Sequence, residues 1–477
     1  MIKDDVRGTV ISVAADTLAV EPGAVRATTT LAELPAFNSF RIVEIVERLE
    51  GELQVRLDPS DLVPDNLMTI EALCGLFERV AGGDLAAGED RVAGRAVDVD
   101  AAVEQVSAVV REHAGRTDRE AAFPVEALTA LRRSGLLGLL VPVEYGGLGA
   151  GVPELVRVSA RLARDCVSVG MIFAMHCQQA AAVVRFAGPE LRATLLPRIA
   201  RGEVYLASVT TDQGSGGHLL TSSGGLTEES AVLHVDRVAP VVTGGRHADG
   251  FLISMRAPDA SSDLEVSLVY ADRDQLGVTP IGGWDPMGMR ATDSRPLKLV
   301  GDIPADQVIG AHGGFRDIVL TTFGPLAHLG WAACWLGGAD GALARTTELL
   351  RAERKRRDLG SELLLHRLSR ARQRLDTVHA MISHASDVLA DESADVSSPP
   401  VQLLLNAVKL TASEQCPAAV RDLIDLVGMR HGYLRGSDTA LERALRDLQS
   451  APLNYSNDRL HAADGSLVLM DRSVRHV

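Results

Sequence analysis

The sequence predicts a mainly helical protein with a central β-domain, in two unequal parts: a small helical bundle, then a larger body ordered helix, sheet, helix. Three observations predict it. The chain has 477 residues, about three times the ~150 expected of one domain. Apolar residues recur at helical spacing in both its front and rear stretches. Between about 204 and 300 that spacing gives way to short β-rich runs, YLASVTT, SAVLHVD, DGFLISM and LEVSLVYAD, separated by Gly, Asp and Ser clusters.

Each element follows in order. Val6, Val10 and Val13 mark a first amphipathic helix, Phe40, Val43, Ile45, Val46 and Leu49 a second, and Ile70, Leu73, Leu76 and Phe77 a last one. Helices of this length suit a small bundle over 1–81. The stretch GGDLAAGEDRVAGRAVD has no apolar periodicity and reads as a flexible linker, 82–98. A helical domain over 99–203 opens with Val103, Val106, Val109 and Val110 on one face. A β-domain over 204–310, expected as a small antiparallel barrel or sandwich, precedes a helical domain over 311–477.

Composition excludes several classes of function. Hydrophobic residues are 46% and charged residues 23%, as in ordinary globular protein. The net charge of −15 argues against nucleic acid and against anionic membrane surfaces as partners. Residues 1–85 alone hold 7 basic and 15 acidic side chains. Five scattered cysteines without a CxxC point away from disulfides and zinc, and a cytoplasmic location is expected. No metal site is expected.

Ser39, in FNSFRIVEIVERLE, places a hydroxyl at the start of an acidic amphipathic helix, where backbone amides favour a phosphodiester. Read alone, such a serine is an ordinary N-cap. The length, acidity and helix order of 1–81, with a Ser-aromatic pair opening helix two, resemble acyl and peptidyl carrier proteins. That resemblance implies 4′-phosphopantetheine on Ser39, although Asn38 stands where the family usually has Asp.

Residues 100–460 resemble the acyl-CoA dehydrogenase family. The likeness rests on LLGLLVPVEYGGLG (136–149), on LPRIARGE (196–203) leading to TTDQGSGG (210–217), on MGMRATDS (287–294) with IPADQVIG (303–310), and on LERALRD (441–447). By itself the glycine-rich loop is an ordinary turn. The resemblance implies an α–β–α body with bound FAD: Gly214, Ser215 and Gly216 approaching the pyrophosphate, Thr211 at the flavin's polar edge, and Thr243 beside the isoalloxazine. It also implies a homo-oligomer in which Arg356 reaches a neighbour's FAD. The run RAERKRRDLG (351–360) containing it reads equally as a solvated charge cluster, or as a landing patch in which Arg351, Lys355 and Arg357 meet the acidic carrier.

The chain departs from the family at three points. Gly217 replaces a phosphate-binding serine, with Ser215 nearby, and Val241 replaces a tryptophan that covers the flavin. The catalytic glutamate, eight residues beyond Asp447 in relatives, is Tyr455, and the second family position for it, near His328, holds none. Phenols, with a pKa of ~10, are poor bases. Tyr455, Asp458 and His328 are therefore the candidates for the proton-transfer step.

The leading expectation is an FAD-dependent dehydrogenase acting on an acyl or aminoacyl thioester tethered to its own carrier, in polyketide or nonribosomal peptide biosynthesis. The alternatives are a flavin oxygenase or another flavin-assisted conversion of that thioester, and a non-catalytic carrier platform. The implied partners are a phosphopantetheinyl transferase, an acyl- or aminoacyl-loading enzyme and a downstream synthase.

Overall fold

The computed structural model describes residues 2–18, 20, 29–31, 39–53, 69–81, 97–212, 219–391 and 393–469. They form two compact units, Met1–Ala96 and Val97–Val477. In the first, α1 (Ile2–Thr17), α2 (Ser39–Leu53) and α3 (Ile70–Ala81) turn their apolar faces on one another. Val6, Val10 and Val13, then Ile45, Val46 and Leu49, then Ile70, Leu73, Leu76 and Phe77 make one core with Leu18 and Leu31. The side chains of Phe40 and Val43 lie outside the described residues, as does 82–96 of the expected linker.

The second unit opens where Asp98 caps α4 (Val99–Glu120), accepting from the amides of Asp100 and Ala101 at 3.0 and 3.2 Å. Then come α5 (Val125–Arg133), α6 (Val152–Ala163), α7 (Val167–Phe186) and α8 (Pro189–Ala200). Helix α7 is largely apolar and is buried along most of its length, as a core helix must be.

Eight strands follow: β1 (Leu206–Val209), β2 (Thr227–Glu229), β3 (Val232–Ala239), β4 (Gly250–Arg256), β5 (Val266–Asp272), β6 (Leu276–Pro280), β7 (Leu297–Pro304) and β8 (Val308–Ile309). They make two sheets, ordered β1-β4-β5-β8 and β2-β3-β7-β6. Buried and exposed residues alternate along β3, whereas β4 and β5 are buried along nearly their whole length. The sheet pairing differs from expectation at one place: β1 runs parallel to β4. A parallel pair needs a crossover, and here residues 210–249 supply it, including two strands of the other sheet.

Helix α9 (Phe315–Ile318) passes through a π-helical turn, Val319–Phe323, into α10 (Gly324–Ala352). Helices α10, α11 (Glu362–Ala390) and α12 (Pro399–Gly428) pack together, and α13 (Leu441–Leu448) and α14 (Asn457–Val468) complete the unit.

One junction joins the three layers. The Met289 amide donates to Asp447 Oδ1 at 2.6 Å, and Arg446 forks onto both oxygens of Asp118 at 3.0 and 2.7 Å. Gly288 is required there, since a Cβ would stand 2.0 Å from the Arg446 carbonyl oxygen. Burial pushes Asp447 up to about 6. Between its ordinary ~3.9 and that value the folded chain holds a proton the unfolded chain has released, so this group's contribution to stability falls as pH rises through the interval. We expect Asp447→Asn, which keeps an oxygen for Met289, to flatten that dependence in chemical denaturation between pH 4 and 7. Asp447→Ala, which orphans a buried amide, should cost about 1–3 kcal/mol.

Candidate active site

One buried ion pair joins Arg237 to Asp212, which stands immediately before the glycine-rich residues in the chain. Arg237 occupies an inward position of β3, where the alternation of Leu233, Val235 and Ala239 calls for an apolar residue. Its guanidinium donates to Asp212 Oδ2 and to the Thr211 carbonyl, both at 2.8 Å. The Asp212 carboxylate also accepts from the Ser223 amide at 2.8 Å and from the Ser223 hydroxyl at 2.9 Å. Asp212 and Ser223 stand on either side of 213–218 in the sequence, and these bonds join the described residues that flank it. Gly214, Ser215, Gly216 and Gly217 themselves lie outside the described residues.

Thr211 and Thr243 come from neighbouring ends of this framework. The Thr211 hydroxyl donates to the Val241 carbonyl at 3.0 Å and accepts from the Val241 amide at 3.3 Å. Of the Thr211 hydroxyl and amide that could stand at a flavin edge, the hydroxyl is thus engaged within the protein. Val241 is 41% exposed.

Thr243 ends a chain of hydroxyls. Thr292 donates to the Met289 carbonyl at 2.9 Å and Ser294 donates to Thr292 at 2.8 Å. With the Ser294 proton so used, the Thr243 hydroxyl, 3.0 Å away, is the donor to Ser294. Among the described residues nothing donates to the Thr243 hydroxyl, whose lone pairs suit an N–H group of a ligand. Gly244 and Gly245 press this turn against Tyr205, Phe123 and Leu297 with no space for a Cβ. A half-exposed rim with a fixed acceptor and a small side chain at Val241 fits a flavin ring.

The two family positions for a base converge. The His328 and Tyr455 rings lie 6.4 Å apart, centroid to centroid, with Trp331 6.2 Å from His328. His328 is buried, and burial, with Lys409 adding to it, lowers the imidazole to about 4, so it is neutral at physiological pH. Tyr455 is 38% exposed, with a left-handed backbone of φ 50°. Asp458 stands exposed on the first turn of α14 and shows no contact with either ring.

The π turn ahead of His328 frees carbonyls that long side chains then satisfy. Gln402 donates to Leu320 O at 3.2 Å, Arg185 to Thr321 O at 2.9 Å and Gln178 to Phe323 O at 2.7 Å. Nothing in the sequence announces this turn. Arg237 and Lys409 were also missed, yet each leaves a trace: a lone cation on an otherwise apolar strand face or helix face.

Ser39 is the first residue of α2, and its side chain lies outside the described residues. Arg356 is exposed in the turn after α10, with Arg351 and Lys355 exposed nearby. Arg357 is instead paired with Glu353 at 2.5 Å, which removes it from a free landing patch. We expect Arg237→Ala to destabilise the second unit by about 3–5 kcal/mol, because the buried Asp212 carboxylate loses the cation beside it. Arg237→Ala with Asp212→Ala should cost less than the two single losses together, measured by chemical denaturation.

Residues 99–203 match the acyl-CoA dehydrogenase N-terminal domain, 329–453 the acyl-CoA dehydrogenase C-terminal domain, and 8–77 the phosphopantetheine attachment site. The chain is 26% identical to L-evernosamine nitrososynthase of Micromonospora sp. over 80% of its own length and 91% of that protein. It is 29% identical to dibenzothiophene monooxygenase of Rhodococcus qingshengii, over 47% of this chain and only 55% of that enzyme's length. FMN-bound TdsC from Paenibacillus sp. A11-2 shares the fold, with a TM-score of 0.71 at 22% identity, covering 79% of this chain and 98% of that one. The chain therefore joins a phosphopantetheine-attachment domain to a body of the acyl-CoA dehydrogenase family.

Proposed function

We propose that the protein is a flavin-dependent monooxygenase acting on an acyl or aminoacyl thioester carried on its own Ser39. The observation that carries this reading is the meeting of His328 and Tyr455 where the family's carboxylate base would act. Among the described residues the only charge acting on His328 is the Lys409 ammonium. An imidazole held near 4 is a weak acceptor for a thioester α-proton. Oxygen insertion away from an acidified carbon places no such demand. The nitrososynthase and dibenzothiophene monooxygenase relatives, by their names, support oxygen chemistry on this fold.

The chain's residues divide the work. Thr243, the Thr211 amide and the glycine-rich loop after Asp212 would hold the flavin, FAD by family resemblance. When bound and reduced, a flavin supplies the two electrons with which dioxygen gives one atom to substrate and one to water. The Tyr455 phenol offers a donor and the neutral His328 ring a second polar contact to orient the acyl group, while Trp331 and Trp335 keep that region apolar. Tethering on one chain raises the effective thioester concentration to roughly millimolar. Such a carrier requires a phosphopantetheinyl transferase and a loading enzyme upstream, and a synthase that takes the product, as in cytoplasmic specialised-metabolite assembly lines.

The test is intact-mass analysis of the acyl-loaded full chain before and after aerobic incubation with flavin and a reductant. We expect the carrier-bound acyl group to gain one oxygen atom, and Ser39→Ala to abolish loading. Loss of two hydrogens instead would establish the dehydrogenase expectation. A chain that takes up no flavin would end both readings.

A further inference from the structure

Lys409 is the buried cation that nothing above puts to use. It sits in α12 among Leu405, Val408, Ala412 and Cys416, all buried, and is itself 0% exposed. Its ammonium donates to the Tyr455 carbonyl at 2.9 Å and to Asn457 Oδ1 at 2.6 Å, and lies 5.9 Å from the centre of the Trp335 ring. Asn457 is in turn braced by Ser413: its Nδ2 donates to the Ser413 hydroxyl at 3.1 Å, and that hydroxyl donates to the Leu410 carbonyl at 2.8 Å. No carboxylate pairs with the ammonium among the described residues. A buried charge with only neutral acceptors is costly, and such an arrangement persists where the surrounding structure holds it in place.

What the ammonium holds is the turn between α13 and α14. Tyr455 has a left-handed backbone, which a residue with a bulky side chain adopts only under strain. The carbonyl of that same residue is the one Lys409 binds, so the clamp acts on the strained unit itself. Across the turn the Tyr455 ring faces His328 on α10.

We propose that Lys409 is the positioning residue of the His328–Tyr455 pair, clamping the Tyr455 carbonyl so that the phenol is presented beside the imidazole. This rests on the reading of that pair as the acyl-binding face. The groups around the ammonium fit the role. His328 faces it from α10, Tyr455 and Asn457 from the turn and the start of α14, and Glu414 lies one turn along α12. Asp464 of α14 is engaged by Asn406 at 2.6 Å. A positive charge at this place also disfavours protonation of His328, while the Leu405 backbone pulls weakly the other way. The imidazole is thereby kept neutral as well as aligned with the phenol.

The test uses the full chain with 3-fluorotyrosine and with labelled histidine, comparing Lys409→Met, Lys409→Arg and Asn457→Ala. Resonances are assigned with Tyr455→Phe and His328→Asn. We expect Lys409→Met to move the Tyr455 fluorine signal and to raise the pH at which His328 titrates by roughly one pH unit. Lys409→Arg should restore both toward the wild type. Asn457→Ala removes one acceptor yet keeps the charge. It should move the Tyr455 signal while leaving the His328 titration nearly in place, so it provides the readout if Lys409→Met does not fold. An unmoved Tyr455 signal in Asn457→Ala and in any folded Lys409→Met chain would overturn the proposal. Because none of these signals depends on turnover, a wild type that fails the oxygen-gain assay would remove the functional reading and leave the clamp standing.

Discussion

The body depends on what is bonded to one residue, Met289. Its amide is held by the buried carboxylate of Asp447 and its carbonyl receives the Thr292 hydroxyl, the last link from Thr243. Trp284 Nε1 donates to that carbonyl as well, at 3.3 Å. Helix α13 therefore reaches the rim where a flavin would lie through a continuous line of hydrogen bonds. Met289 takes a left-handed backbone with φ 55°, and Asp293 does so with φ 41°. Strain of that kind survives only where neighbours over-determine it, and the fork of Arg446 on Asp118 does so here. Two of the four sequence stretches that carry the family likeness, 287–294 and 441–447, are thus parts of a single fastening.

Two buried cations are treated in opposite ways. Arg237 is paired with a carboxylate and also donates to the Thr211 carbonyl, so its charge is cancelled where it sits. The result is a fixed loop base with little electrostatic reach. Lys409 meets only neutral oxygens, and its charge is felt by the imidazole of His328. Burial lowers the ammonium itself to about 8, with Glu414 acting in the opposite direction. One cation builds geometry, and the other builds geometry and potential together.

Much of this was legible from the residues alone. The faces of α1, α2 and α3 were readable because apolar spacing on a short amphipathic helix leaves few ways to bury it, and Val6, Val10 and Val13 are buried accordingly. Counting from Asp447 led to Tyr455, and the structure brings it beside His328, which is far away in sequence. Other features were hidden for definite reasons. Parallel pairing of β1 with β4 is a property of the crossover, which strand periodicity does not encode. The π turn is invisible because its carbonyls are satisfied from α7 and α12. The commitment of the Thr211 hydroxyl to Val241 depends on the approach of two loops that no local pattern brings together.

The parallel pairing has a bearing on how the body comes to be assembled. Strands β4 and β5 are antiparallel and joined by a short connection, so they can meet early at small entropic cost. Strand β1 reaches β4 only after the chain between them has left for the other sheet and come back. Its docking closes a long loop and belongs late in the folding sequence. Since Thr211 and Asp212 continue directly from β1, the ligand cradle is completed only when nearly everything around it is already in place, and a nascent chain would have no means of gripping its cofactor prematurely.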